Sequence, residues 1–178
     1  MRNKYLFYSE IAGWIIIFIL DVIVSGSLYI YFRKSNHQIS MVTAIFRIIY
    51  SVFLCVAIYN LIAIIPLMNR AGNVIEIYTQ FSLFGKIWSA GLIIFGGHLL
   101  GLGYLSIKSQ KVPSVLAYLL LVAGISYMFI HSGKQFTLLS PFTISVVENI
   151  LALPMALSEI LLAVFLIYKG NKKQFQKI

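Results

Sequence analysis

Four ionisable residues lie inside long apolar runs of this 178-residue chain: Asp21, Arg47, His98 and Glu159. An ionisable side chain at membrane depth is costly, so by default it points to function. The two carboxylates are proton or cation acceptors, the guanidinium is a partner for an anion or a carboxylate, and the imidazole titrates near neutrality. One reading is a polar cavity where Asp21 or Glu159 pairs with Arg47 and His98 titrates nearby. Such a cluster would bind a polar headgroup or pass a proton. A second reading fits equally well: a satisfied buried network that fixes helix register. Taken singly, Arg47 also fits snorkelling to the membrane surface, and His98 fits a hydrogen-bonded core residue.

Spacing brings the four to comparable depth. At 1.5 Å per residue, Asp21 lies about 16 Å from the nearer end of its run and Arg47 about 9 Å from its own. His98 and Glu159 lie about 14 Å in. Helical periodicity supplies each with a face. Asp21 shares one with Ser25, and Arg47 with Thr43, Ser51 and Cys55. Ala152, Ala156 and Ala163 form a small-residue stripe with Glu159. His98 sits beside the Gly97–Gly101 pair, a small-xxx-small spacing that lets helices approach closely.

The elements that carry these residues follow from composition. Hydrophobic residues make up 60% of the chain and charged residues 11%, and mean hydropathy is +0.92. Soluble domains carry roughly 25% charged residues, so too few charges remain to cover a water-facing surface. About 20 apolar residues cross the hydrocarbon core, and five stretches qualify: 10–32, 41–67, 86–107, 113–131 and 146–168. Backbone groups in lipid must be satisfied within each segment, which makes the spans helical. The expectation is an all-α polytopic bundle in a single membrane domain, 1–178, with short turns at 33–38 and 108–113 joining antiparallel neighbours. Pro113 is placed to open the fourth helix. In the mixed stretch 69–85, Ile75, Ile77, Tyr78, Phe81 and Phe84 suggest a short surface helix. The tail 171–178 reads as frayed. Pro154 is expected to kink the fifth helix.

The formal net charge is +9. The basic residues sit between apolar runs, as membrane topology requires, so nucleic acid is not the expected partner and the lipid bilayer is. Eight Lys and Arg fall on the side of Arg33, Lys108 and Lys169, against five on the side of Lys4, Arg70 and Lys134. That asymmetry predicts a cell-membrane protein with a cytoplasmic C-terminus. The single cysteine, Cys55, reads as a small core residue. No metal cluster, cofactor motif or catalytic signature is present, and His98 and His131 lie at different depths, unlike paired haem ligands.

The order of landmarks carries a resemblance. Asp21 to Tyr29 (DVIVSGSLY) is followed by Ala44-Ile45-Phe46-Arg47, then Gly96 to Leu105 (GGHLLGLGYL), Pro113, Leu121 to Tyr127 (LVAGISY), and finally Glu159 and Lys169-Gly170. This resembles a family of bacterial membrane proteins, domain of unknown function 4386, over Asp21 to Gly170. The resemblance implies that Asp21, Arg47, His98 and Glu159 match positions of the family pattern. It also implies that family members have a further N-terminal helix, which this sequence is expected to lack. It implies no activity. The expected function is therefore binding or translocation of a small polar or amphiphilic solute, as a homo-oligomer if transport is real. The alternatives are a membrane-embedded enzyme on a lipid or quinone, and an accessory subunit.

Overall fold

The computed structural model describes residues 2–68, 73–138 and 140–175, excepting the side chains of residues 2, 3 and 171–175. Five helices run in order: α1 (Arg2–Phe32), α2 (His37–Leu67), α3 (Val74–Ser109), α4 (Ser114–Phe136) and α5 (Pro141–Phe175). No strand occurs among the described residues. Each helix is long and apolar enough to cross a membrane, and the five contain the stretches expected from composition, save that Pro113 stands just before α4 as its N-cap. Each of α2 to α5 packs against the helix before it, as short connections dictate.

The first turn shows why the chain reverses where it does. Asn36 stands in extended backbone and its side chain accepts from the Ile39 N–H at 3.0 Å, capping α2. Helix α2 therefore opens at His37, four residues earlier than its apolar run implies. Arg47 then lies ten residues into the helix, about 15 Å deep, level with Asp21 and His98.

Helix α3 holds the centre. Its packing against both neighbours depends on glycine. A Cβ on Gly101 would collide with the Thr43 side chain of α2, and one on Gly96 would meet the Gly124 carbonyl of α4 at 2.7 Å. Of the anticipated Gly97–Gly101 pair, Gly101 thus serves close approach, whereas a Cβ on Gly97 would make only ordinary contact with Phe46 and the tight position beside it is Gly96.

The mixed stretch before Gly85 departs from expectation. Within the described residues it is no separate surface helix. Val74 onward forms the first turns of α3. Ile77, Phe81, Phe84 and Trp88 recur at helical spacing and turn toward α1. Phe7 meets Phe81 edge-on at 5.9 Å, and Trp14 meets both Phe84 and Trp88. The tail likewise continues helix α5 to Phe175, so its early residues are not frayed. Arg70 and Lys177 lie outside the described residues, as do the side chains of Arg2, Lys172 and Lys173.

Two more expectations need correction. Cys55 is exposed, because the inward face of α2 there is Leu54, Ala57 and Ile58. The alanine stripe on α5 is misaligned. Met155, Ser158 and Leu162 face the core, whereas Ala152, Ala156 and Ala163 are exposed. Alanine is close to neutral between lipid and protein, so it marks no face by itself. Pro154 lies inside α5, where it removes one backbone donor.

Candidate functional site

Three of the four residues converge at mid-depth. Arg47 donates from Nε to Asp21 Oδ1 at 3.1 Å and from Nη2 to the same oxygen at 2.5 Å. Its Nη1 lies 3.1 Å from His98 Nε2. A guanidinium has donors only, so His98 Nε2 accepts. The ring proton then sits on Nδ1, which donates to the Thr43 carbonyl at 2.8 Å. The Arg47 guanidinium also lies over the Phe95 ring, 5.4 Å from its centroid, a favourable place for a cation.

Neighbouring hydroxyls complete the network by tying backbone to backbone. Ser25 donates to the Ala44 carbonyl across α1 and α2, and Ser51 donates to the Arg47 carbonyl. Asp21 is buried and His98 is fully enclosed. The space beside His98, walled by Leu28, Phe32, Thr43 and Leu102 among others, has no room for a water molecule. Arg47 is thus held inside the bundle and does not snorkel to the surface.

Glu159 stands apart. It is half-buried, and its Oε1 accepts from the Tyr127 hydroxyl at 2.9 Å. Tyr127 meets Phe95 edge-on at 5.4 Å, so the aromatic pair separates Glu159 from Arg47. Both Arg47 and Asp21 still lie within Coulombic reach of Glu159. The structure therefore joins Asp21, Arg47 and His98 directly, and brings Glu159 to the other side of an aromatic wall.

On that other side an open cavity of about 420 Å³ runs toward the membrane face opposite the α1–α2 turn. Helices α3, α4 and α5 form it. Trp88, Leu92 and Met155 supply apolar wall, Tyr127 and His131 form a polar strip, and Lys134 with Glu148 stands at the mouth. His131 Nδ1 lies 2.9 Å from Ser89 Oγ, both buried. Lys134 Nζ donates to Glu148 Oε1 at 2.6 Å, so Glu148 serves an ion pair and not the N-terminus of its helix. Tyr127 and His131 stack one turn apart, with centroids at 6.0 Å. Sequence reasoning missed Trp88, Ser89 and His131 as one site. The available signal was polar residues on three runs near the same membrane face.

This cavity combines an apolar body with hydrogen-bonding groups at one wall, the usual composition of a small-molecule site. Among the described residues, no three His, Cys, Asp or Glu side chains are grouped to hold a metal.

Comparison with known proteins agrees with this picture at the level of family. An uncharacterised protein of the archaeon Archaeoglobus fulgidus is 32% identical over 119 residues, 67% of this chain and 63% of that relative. This chain thus spans less than two thirds of the relative's length, and similar sequences are not confined to bacteria. No solved structure matches the chain. The family model described as domain of unknown function (DUF4386) matches residues 1–170, so α1 is included from its start, and the chain belongs to that family.

Proposed function

We propose that this protein binds a small amphiphile in the cavity between α3, α4 and α5. The observation that carries the reading is the contrast between two interiors. Asp21, Arg47 and His98 are bonded to one another and the space beside His98 has no room for water, whereas the cavity past Tyr127 holds about 420 Å³. An apolar body would rest on Trp88, Leu92 and Met155, and a hydroxyl, carbonyl or carboxylate head would meet His131, Ser89 and Lys134. Glu159 orients Tyr127 from behind. Translocation by way of Asp21, Arg47 and His98 is disfavoured, because these groups are already paired with one another.

The enzyme reading requires a carboxylate and His98 within about 3 Å of a reacting atom. Both His98 nitrogens are engaged with Arg47 and Thr43, which argues against it. For orientation we propose a cytoplasmic C-terminus in the cell membrane. Supporting it, Arg33, Lys34, Lys108, Lys111 and Lys169 share one face of the bundle, against Lys4, Lys86 and Lys134 toward the other.

Trp88 supplies the test. In a Trp14→Phe background it is the single tryptophan. Brominated dodecanoate added to protein in lipid nanodiscs should quench Trp88 saturably, with reversal by unbrominated dodecanoate. Ala156→Phe, which places a ring in the cavity from an exposed position, should abolish the saturable part. Linear quenching that ignores competitor, the same in both proteins, would remove the proposal.

A further inference from the structure

The opposite membrane face holds a second feature. Where α3 turns into α4, a cavity of about 490 Å³ is lined by Ser106, Gln110, Lys111 and Ser114, with Pro113 and Phe165 at its edge. Ser106 is 1% exposed, and its Oγ is buried without a hydrogen-bond partner. A hydroxyl left so is a net cost unless something meets it.

Helix α4 begins at the same place. It has 23 residues, no side-chain cap at Pro113 and no acidic residue in its first turn. Its first backbone N–H groups therefore remain open, at the positive end of the helix dipole. An anion is what such an end accepts.

Lys111 lines the opening, and Lys169 is tied to its backbone. Lys111 Nζ donates to the Tyr31 carbonyl at 3.2 Å and Lys169 Nζ to the Lys111 carbonyl at 2.5 Å. Each ammonium has three donors, and each meets a neutral carbonyl and an aromatic face, Lys111 over Tyr31 and Lys169 over Phe165, with no carboxylate partner among the described residues. Lys108 stands nearby over the Tyr104 ring. The chain's five carboxylates, Glu10, Asp21, Glu76, Glu148 and Glu159, all lie elsewhere.

An apolar groove continues from this cavity along α4 and α5. It measures about 370 Å³ and is walled by Val115, Leu119, Leu161 and Val164, and it shares Pro113 and Phe165 with the basic cavity. A phosphate alone would use the first space and leave the second. A molecule with an anionic head and an acyl chain matches both.

We propose that the α3–α4 turn binds an anionic glycerophospholipid, with the phosphate among Ser106, Lys111 and the start of α4, and an acyl chain in the α4–α5 groove. The site lies at the opposite end of the bundle from the amphiphile cavity and does not depend on it.

The test uses purified full-length protein in detergent. Dioctanoyl phosphatidylglycerol, dioctanoyl phosphatidylcholine and inorganic phosphate are added separately, and retained adducts are counted by native mass spectrometry. The anionic lipid should be retained about tenfold over phosphatidylcholine, with inorganic phosphate failing to displace it. Ser114→Asp should erase that preference. Its unliganded melting temperature should stay level or rise, because an acid suits a helix N-terminus. Lys34→Gln, exposed on the same face but outside the cavity, should keep the preference. Equal retention of both lipids, or displacement by inorganic phosphate, would overturn the proposal. So would an unaffected Ser114→Asp, or loss in Lys34→Gln as large as in Ser114→Asp.

Discussion

Asp21 and Glu159 are the two carboxylates at mid-depth, and they sit in different halves of the molecule. Asp21, in the half made by α1, α2 and the near side of α3, meets a guanidinium through two hydrogen bonds. Glu159, in the half made by α4 and α5, meets one neutral phenol. Depth and functional group are the same, so neither decides the role. The neighbours do. A buried carboxylate matched to a cation on the neighbouring helix holds helices together. A half-buried one bonded to a phenol that lines a cavity is placed to orient that phenol.

The comparison can be broken most strongly at its tight end. Arg47→Met leaves Asp21 as an uncompensated buried charge and His98 Nε2 without a donor. The expected loss is about 3–5 kcal/mol of stability, read as a collapse of monodisperse protein on size-exclusion chromatography. The double variant Asp21→Leu/Arg47→Met removes both charges and should recover most of the folded yield, since apolar replacement of a buried pair is often neutral or better. A double variant as poor as the single would show that the network is more than a structural tie.

Packing around α3 gives the next effect. Gly96→Ala drives a methyl group against the Gly124 carbonyl and the Met128 side chain. Overpacking of this kind costs about 1–3 kcal/mol, seen as a lower melting temperature in nanodiscs. Because Gly96 joins α3 to α4, the same variant should shift Tyr127 and weaken dodecanoate binding. Undiminished binding with a lowered melting temperature would separate the cavity from the α3–α4 seam.

The smallest effect belongs to the mouth of the cavity. Lys134 and Glu148 side chains are 35% and 40% exposed, and such pairs contribute about 0–1 kcal/mol. Lys134→Gln should leave the melting temperature within error, while binding of a carboxylate amphiphile weakens and becomes less sensitive to salt. A large stability loss here would place the structural tie in the wrong half.

Much of the fold was legible because lipid imposes a simple rule. Sustained apolar runs must be helices, and five runs gave five helices. The depth of the ionisable residues was legible for the same reason. What escaped was azimuth. On α5 the small residues pointed to Ala152, Ala156 and Ala163, yet the core face is Met155, Ser158 and Leu162, because an apolar helix in an apolar solvent has little amphipathic signal to read. On α3 the early start was legible in Ile77, Phe81, Phe84 and Trp88, but the polar residues Thr79, Gln80 and Ser82 among them obscured the period. The contact between Ser89 and His131, 42 residues apart, had no local signature. The pairing of Arg47 with Asp21 in place of Glu159 was likewise undecidable from depth alone.

Equal depth conceals unequal roles. Asp21→Asn and Glu159→Gln, prepared side by side in the same nanodiscs, test it through melting temperature and dodecanoate binding together. Asp21→Asn should lower the melting temperature strongly, whereas Glu159→Gln should leave it nearly unchanged and weaken binding through Tyr127. Equal destabilisation by both variants, or a Glu159→Gln protein that melts lower than Asp21→Asn, would contradict it.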